Sequence, residues 1–143
     1  MRRVSRSALV PYSAEAMFSL VRDVEHYPDF LPWCSATELR SCSESELEAS
    51  LTMGYGGLNS DFATHNEFQA PEWMTMRLVD GPFKSLEGRW EFDALGDEGC
   101  EVKLLVEFEF ASMAKDLLFG ATFETICNEL IEAFTRRARE LYG

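Results

Sequence analysis

The 143-residue sequence predicts one α+β domain over residues 1–143, in which a curved antiparallel sheet of about seven strands wraps around one long C-terminal helix, with two short helices after the first strand. Apolar and polar residues alternate through most of the segment 47–110, which is the period of half-buried strands. The last third instead repeats its apolar residues with helical spacing. A sheet with one apolar face and a helix with one apolar stripe bury both surfaces by packing together.

The N-terminal segment is predicted to form one strand followed by the two short helices. The strand covers residues 4–10. Ser13 is a suitable N-cap for an amphipathic helix, whose apolar residues follow the helical spacing as far as Val21. Pro28 and Pro32 flank a second short turn or helix, and we expect this segment to break the first helix.

The middle of the chain is predicted to be an antiparallel meander. The strands that alternation locates here cover residues 47–53, 62–68, 74–78, 86–92 and 100–110. Turns are expected at Gly54, Gly56 and Gly57, at residues 80–82 and at residues 96–99. Because no helix separates these strands, each is expected to run antiparallel to its neighbour.

The last third is predicted to be one helix. Ser112 can cap its N-terminus, and its apolar residues form one continuous stripe over residues 119–141. Arg136, Arg137 and Arg139 lie in the final turns, where positive charge complements the C-terminal end of the helix dipole.

The composition favours a folded protein and excludes several function classes. Hydrophobic residues make up 46% of the chain, and the formal net charge is −12. The charge disfavours diffuse binding to nucleic acid, and we expect no DNA partner, because a polyanion is repelled overall. No apolar run approaches the ~20 residues that span a bilayer, and the first residues lack the apolar core of a signal peptide. We therefore expect a cytoplasmic protein with no transmembrane segment.

The charge is unevenly distributed along the chain. Residues 34–72 contain seven acidic side chains against Arg40 alone. Two arginine clusters, one in the first strand and one at the end of the last helix, comprise Arg2, Arg3 and Arg6, and Arg136, Arg137 and Arg139. If the termini lie together, these clusters form one basic corner on an acidic body. The alternative is ordinary helix capping and a solvated strand edge.

The residues that usually bind metal ions are scattered. Cys34, Cys42, Cys100 and Cys127 form no C-x-x-C pair, and His26 and His65 lie far apart in the sequence. A zinc site requires clustered ligands, so we expect no metal and reduced thiols.

A catalytic role has little support in the sequence. Asp61, His65 and Glu67 share one face of a strand and could perform acid–base chemistry. However, this is the polar, solvated face, and neither a nucleophile–base pair nor an oxyanion-stabilising group accompanies it. Residues 54–57 lack the following helix that a phosphate-binding loop needs. We therefore expect no enzyme activity and no catalytic cofactor.

The space between the curved sheet and the long helix is either a filled core or an elongated apolar cavity, which periodicity does not distinguish. The residues that would line a cavity are Phe30, Leu31, Trp33, Met53, Phe62, Met74, Met76, Phe83, Trp90, Phe108, Phe119 and Phe123. Thr64, Asn66 and Arg77 are candidates to contact the polar end of a ligand.

Four stretches together resemble a known family. They are residues 5–13, 27–32, 78–84 and 108–110, and they include Tyr-Pro-x-Phe-Leu-Pro and Asp-Gly-Pro-Phe motifs. From about residue 3 to residue 142 the chain is similar to the coenzyme Q-binding START-domain family of the SRPBCC (polyketide cyclase-like) superfamily, which includes bacterial ribosome association toxins. The resemblance implies the helix-grip fold and supplies no catalytic residues.

The resemblance implies two functions. The first is non-catalytic binding of ubiquinone or a related polyprenyl lipid in the cavity, in support of cellular respiration and with transient membrane contact. Residues 30–32 would form the mouth, together with residues 80–83. We expect this function because the apolar alternation favours a long apolar groove.

The alternative is a toxin of the toxin–antitoxin type that binds the large (50S) ribosomal subunit and blocks subunit association and translation initiation. Its contact residues would be Arg3, Arg6, Arg136, Arg137 and Arg139.

Overall fold

The computed structural model describes residues 1–55 and 57–143, and its elements follow the predicted order. They are β1 (Arg2–Val10), α1 (Ala14–Arg22), a 3₁₀ helix (Val24–Asp29), β2 (Cys34–Cys42), β3 (Glu46–Tyr55), β4 (Leu58–Gln69), β5 (Trp73–Asp80), β6 (Phe83–Ala94), β7 (Cys100–Phe110) and α2 (Met113–Tyr142). The strands form one sheet in the order β1-β7-β6-β5-β4-β3-β2, and all neighbours are antiparallel. The predicted α+β fold, with a seven-stranded sheet and a long C-terminal helix, is confirmed.

Both α-helices begin at the predicted caps. The Ser13 hydroxyl accepts a hydrogen bond from the Ala16 N–H at 3.1 Å, and the Ser112 hydroxyl accepts one from the Lys115 N–H at 3.1 Å. Each bond satisfies one of the N–H groups that have no partner within the first turn of a helix. Within the described ranges, no helix combines the length and the apolar character needed to cross a bilayer.

Aromatic side chains join α2 to the sheet. The ring of Phe123 lies 4.7 Å from that of Phe108 and 5.0 Å from that of Phe83, centroid to centroid. The rings of Phe62 and Phe110 lie 6.3 and 6.2 Å from the Phe123 ring, centroid to centroid. Tilted and edge-on pairs of this kind each add about 0.5–1.5 kcal/mol beyond the burial of apolar area. One helical residue therefore contacts strands β4, β6 and β7.

The break between the first two helices differs from the prediction. It occurs at Asp23, whose backbone leaves the helical region (φ −82°, ψ 64°) while its N–H still donates to the Ser19 carbonyl. The second helix begins at Val24 and contains Pro28 instead of following it. Proline lacks a backbone N–H, fixes its own φ and restricts the residue before it, so Pro28 did not determine that the first helix ends at Arg22.

Strand β2 was not located by alternation. Its side chains are mostly exposed, because β2 is an edge strand that pairs only with β3. The pairing shifts register between Cys34 and Ala36 and again between Leu39 and Ser41. Each extra residue at such a shift reverses the alternation of faces, so no continuous period of two exists in this segment.

The turn between β3 and β4 lies where the glycines predict it. Gly54 is still part of β3, and Gly57 adopts φ +86°, a conformation that favours glycine. Gly56, which belongs to the same predicted turn, lies outside the described residues.

Candidate functional site

An apolar cavity of about 80 Å³ lies between the buried face of the sheet and α2. Its walls are Val24, Tyr27, Leu31, Trp33, Ala49, Leu51, Phe62, Thr64, Asn66, Met76, Leu86, Gly88, Trp90, Val106, Phe123, Ile126, Cys127, Leu130 and Phe134. The strands contribute alternate residues, such as Phe62, Thr64 and Asn66 of β4, because every second side chain points to the same face. The residues of α2 recur every three or four positions.

Six of the predicted ligand-binding residues line this cavity. They are Leu31, Trp33, Phe62, Met76, Trp90 and Phe123. The remaining sheet residues in the wall, such as Ala49 and Val106, were not predicted, because small and β-branched residues on a buried strand face are equally typical of a filled core. The apolar stripe of α2 already contained Ile126, Cys127, Leu130 and Phe134, and could have identified them.

The other five predicted ligand-binding residues do not line the cavity. Phe83 and Phe108 belong to the aromatic cluster around Phe123. Phe30 packs edge-on against Phe134, and Phe119 is half-buried near the start of α2. Met74 is fully buried beside Asn66, and Met53, a further cavity candidate, is also fully buried outside the cavity. Alternation identifies the face of a strand but not the position along it, and packing fills both ends of this sheet.

Of the predicted head-group contacts, two lie in the cavity and one does not. Thr64 and Asn66 are each 5% exposed and line its wall. Arg77 is exposed on the opposite face of the sheet, where it is paired in register with His65. The inward side chains of its neighbours Met74 and Met76 explain this position, because adjacent residues of a strand point to opposite faces.

The Asn66 amide is incompletely paired. Its Nδ2 donates to the Met74 Sδ at 3.5 Å, and its Oδ1 has no hydrogen-bond partner in the part of the chain that the structure describes. Two other polar groups in the cavity wall, the Tyr27 hydroxyl and the Cys127 thiol, are both uncharged. The Tyr27 hydroxyl donates to the Val21 carbonyl, and burial raises the pKa of Tyr27, so it stays neutral. Burial likewise raises the pKa of the Cys127 thiol.

A second recess, of about 50 Å³, lies beside the cavity at the surface. It is lined by Pro32, Trp33, Tyr55, Ile126, Glu129, Leu130, Ala133 and Arg136. Trp33, Ile126 and Leu130 border both spaces, so these three side chains form the wall between cavity and recess. Of the predicted mouth, Leu31 lies in the cavity and Pro32 in the recess, whereas residues 80–83 border neither.

The polar cluster on the outer face differs in membership from the predicted one. The His65 Nε2 lies 3.3 Å from Glu46 Oε2, and its Nδ1 lies 3.7 Å from Glu48 Oε1. Glu46, His65 and Glu67 place their ligand atoms within 4.8 Å of one another, and are the group that could hold a cation. Asp61 is not part of this group. Glu46 was missed because it comes from β3, directly across the ladder from Glu67.

The two arginine clusters do not form one basic corner. Arg2 donates to both carboxylate oxygens of Asp116, at 3.0 and 3.2 Å, near the start of α2. Arg136 lies 20 residues later, which is about 30 Å of helix axis. At that end of α2, Tyr142 instead packs near Tyr12, with 6.3 Å between ring centroids. Strand β1 thus runs alongside α2 in the same direction, so the N-terminal cluster begins at the far end of the helix.

The exposed arginines differ in how freely they can contact a partner. Arg3, Arg6, Arg136 and Arg139 are exposed. Arg137 is 19% exposed, lies over the Phe30 ring at 5.2 Å, and pairs with Asp29 and Glu140 at 4.0 and 3.9 Å. Arg137 is therefore held by contacts within the protein.

The sheet wrapped around a long helix, with an apolar cavity between them, is the helix-grip arrangement of START-like proteins. A START superfamily protein from Mycobacterium smegmatis superposes with a TM-score of 0.80 at 24% identity, covering 97% of this chain and 98% of that one. The chain belongs to the family described as polyketide cyclase / dehydrase and lipid transport, which matches residues 10–135.

Two of the similar proteins represent the two functions under consideration. The chain is 46% identical over 143 residues to the ribosome association toxin RatA of Vibrio cholerae, covering 100% of this chain and 99% of that protein. It is 28% identical over 144 residues to a mitochondrial coenzyme Q-binding protein of Xenopus laevis, covering 97% of this chain and 59% of that protein. Neither is named as an enzyme, although the family description includes cyclases. The resemblance to the coenzyme Q-binding START-domain family and its ribosome association toxins is confirmed.

Proposed function

We propose that this protein binds the large ribosomal subunit without catalysing a reaction, and thereby blocks subunit association. The observation that carries the proposal is 46% identity to RatA along the whole chain, compared with 28% to the coenzyme Q-binding relative. The comparisons therefore favour the alternative function of the sequence analysis over the first. Ribosome binding also implies that the protein acts in the cytoplasm.

The C-terminal end of α2 is one surface suited to contact ribosomal RNA. Arg136 and Arg139 are exposed there. Arg136 pairs with Glu132 of the preceding turn at 3.6 Å, and such a surface pair is worth only about 0.3–0.5 kcal/mol, so it is readily exchanged for a phosphate. The chain carries a net charge of −12, which favours one localised contact over diffuse binding.

Sucrose-gradient sedimentation with purified large subunits tests the proposal. We expect the wild-type protein to migrate with the large subunit, and the double variant Arg136→Glu/Arg139→Glu to bind roughly tenfold more weakly. The slope of log affinity against log salt should fall by about one for each phosphate that the variant no longer neutralises. Lys84→Glu/Arg77→Glu is the control, because it makes the same charge change, from +2 to −2, at two exposed side chains on β6 and β5.

The two parts of the proposal fail separately. Absence of wild-type binding to large subunits at low salt would overturn the function. Binding by Arg136→Glu/Arg139→Glu as tight as that of the control variant Lys84→Glu/Arg77→Glu would leave the function standing and move the contact elsewhere, with Arg3→Glu/Arg6→Glu as the next variant.

We propose as a second function that the cavity binds an apolar ligand of the polyprenyl quinone class. The supporting observation is an apolar cavity enclosed by sheet and helix in a family whose description includes lipid transport. At about 80 Å³ the cavity is well below the roughly 300–1,000 Å³ of typical ligand sites, so it must enlarge to accept a whole quinone. Displacement of Trp33 or Leu130 would enlarge it by joining it to the surface recess.

Organic extraction of the purified protein, followed by mass spectrometry, tests this second function. We expect a prenylated quinone or quinol in the extract of the wild-type protein. Trp33→Phe, which replaces a wall residue by a smaller apolar side chain, should retain the ligand. Extracts that stay empty even after incubation of the protein with short-chain ubiquinone would refute quinone binding.

A further inference from the structure

Asn66 holds a buried hydrogen-bond acceptor for which the described part of the chain supplies no donor. The side chain is 5% exposed, and its Oδ1 is unpaired. Its Nδ2 donates to the Met74 thioether, which is a weak acceptor. An unsatisfied buried amide oxygen costs about 1–3 kcal/mol, whereas an apolar side chain of similar shape would avoid that cost. A group at this position is best explained by a donor that reaches it from the cavity.

The other cavity walls are suited to a flat apolar group. Phe62, Trp90 and Phe134 present aromatic rings to the cavity. The Tyr27 hydroxyl already donates its hydrogen bond to the Val21 carbonyl. The polar contact is therefore confined to Asn66 and to Thr64, two residues earlier on the same face of β4. A ligand that fits such walls is apolar around most of its perimeter and carries one polar group, at the position that faces Thr64 and Asn66.

The cavity volume limits what can lie beside Asn66. At about 80 Å³ it is roughly half of the 150 Å³ that holds benzene in an apolar protein core. The shift of one flexible side chain, such as that of Met76, would provide the difference. One aromatic ring is therefore the largest group expected next to Asn66, and the recess behind Trp33 offers a route for a tail.

We propose that the cavity selects a phenol-type ligand, a hydroxylated aromatic ring with an apolar substituent, whose hydroxyl donates a hydrogen bond to Asn66 Oδ1. This inference rests on the second proposed function and deepens it. A quinol carries the required donor, whereas the corresponding quinone offers only carbonyl acceptors. Asn66 Oδ1 therefore accepts a hydrogen bond from the reduced form of such a ring and not from the oxidised form.

Isothermal titration calorimetry with three matched ligands tests the proposal. The ligands are 4-propylphenol, 4-propylanisole, which lacks the donor, and a propyl-substituted 1,4-benzoquinone. All titrations use the Cys42→Ser variant, because Cys42 is the exposed thiol and quinones alkylate exposed thiols. We expect the phenol to bind at least tenfold more tightly than either of the other two ligands.

Substitution of Asn66 should remove the preference and not the binding. Asn66→Leu is expected to bind the phenol and the anisole within twofold of each other, and to raise the melting temperature of the free protein because the unpaired oxygen is gone. Arg77→Leu, on the exposed face of the adjacent strand, is the control and should leave the tenfold preference intact. If Asn66→Leu does not fold, Asn66→Ala and the wild-type ligand series still test the proposal.

The outcomes separate this inference from the function on which it rests. If the anisole or the quinone binds as tightly as the phenol, the hydroxyl selection is wrong while apolar ligand binding stands. A preference for phenol that survives Asn66→Leu assigns the hydroxyl to another group and also overturns the inference. If no aromatic ligand binds and organic extracts are empty, both fail together.

Discussion

The four cysteines are free thiols in different surroundings. Burial raises the pKa of Cys34 to about 11 and also raises the pKa of Cys100 and of Cys127, whereas Cys42 is exposed. The thiolate is the reactive form, so a thiol with a raised pKa reacts slowly as well as being sterically protected.

We expect iodoacetamide at pH 8 to modify Cys42 well before the other cysteines. Peptide mass spectrometry against time gives the measurement, and Cys42→Ser should leave only slow modification that accelerates in denaturant. Equally rapid labelling of Cys34 or Cys127 in the folded protein would contradict the burial described above.

His26 provides a pH-dependent contact at the surface. Its Nδ1 lies 2.7 Å from Asp23 Oδ2, and this hydrogen bond raises the pKa of His26 above its ordinary value of about 6.5. Because the folded-state pKa is raised, the contribution to stability is complete below the unfolded pKa and is lost as pH rises through the folded pKa.

An NMR titration of the His26 ring should therefore give a pKa above 6.5 in the wild-type protein. In Asp23→Asn the value should fall back towards 6.5, and the extra stability at acidic pH should disappear. An identical midpoint in both proteins would show that Asp23 is not the cause.

Side-chain orientation was predictable only where the alternation was applied strictly. The period of two places Thr64 and Asn66 on the buried face of β4, and the structure agrees. The same rule applied to Met74 and Met76 would have assigned Arg77 to the outer face. What the sequence does not show is that Asn66 Oδ1 lacks a partner, because that depends on which groups of other strands come within hydrogen-bonding distance.

At the level of elements, the attachment of α2 to the sheet depends strongly on one residue. Phe123 contacts four phenylalanine rings from three strands and also lines the cavity. Removing its ring leaves a space that these rigid neighbours fill poorly.

Phe123→Ala should lower the free energy of unfolding by about 3–5 kcal/mol. Leu117→Ala is the matched control on the same helix, since Leu117 is 85% exposed, and should change it by less than about 0.5 kcal/mol. Urea denaturation followed by circular dichroism measures both. A small effect of Phe123→Ala would mean that the sheet closes over the space left by the ring.

Element predictions succeeded where one face of a strand or helix was uniformly buried. Strand β7 alternates without interruption over eleven residues, and the stripe of α2 is continuous, so both were recognised. Edge strand β2 has little buried surface and two register shifts, so its residues carry no such pattern. The position of the cavity along the sheet was not predictable, because it depends on where α1 and the Phe123 cluster fill the interior.

At the scale of the whole molecule, acidic charge dominates the outer face of the sheet. The register places Glu46 opposite Glu67 and Glu87 opposite Glu107. Like charges that face each other across a ladder destabilise it, and the net charge of −12 adds a general repulsion. The fold tolerates this cost through its apolar core.

Raising sodium chloride from about 20 to 500 mM should therefore increase the melting temperature by about 3 °C, because salt screens this repulsion. Glu67→Gln should be more stable than the wild type at low salt and show a smaller salt response. A melting temperature that falls with chloride would indicate that attractive pairs outweigh the repulsion. Binding to large subunits should weaken over the same salt range, which separates the two electrostatic effects.

The relative direction of β1 and α2 is a property of the whole molecule that local sequence did not reveal. Both arginine clusters were correctly located in their elements, but their expected meeting required β1 to begin at the C-terminal end of α2. The pairing of Arg2 with Asp116 shows that it begins at the other end. Topology therefore determined which charges lie together.

Arg136 belongs both to the proposed RNA contact and to the recess beside Trp33. A ligand tail that occupies the recess and a phosphate that contacts Arg136 would share one small surface. Their binding would then be thermodynamically linked, each changing the affinity of the other by the same factor. With such coupling, the amount of apolar ligand in the cell would regulate how much of the protein is available to the ribosome.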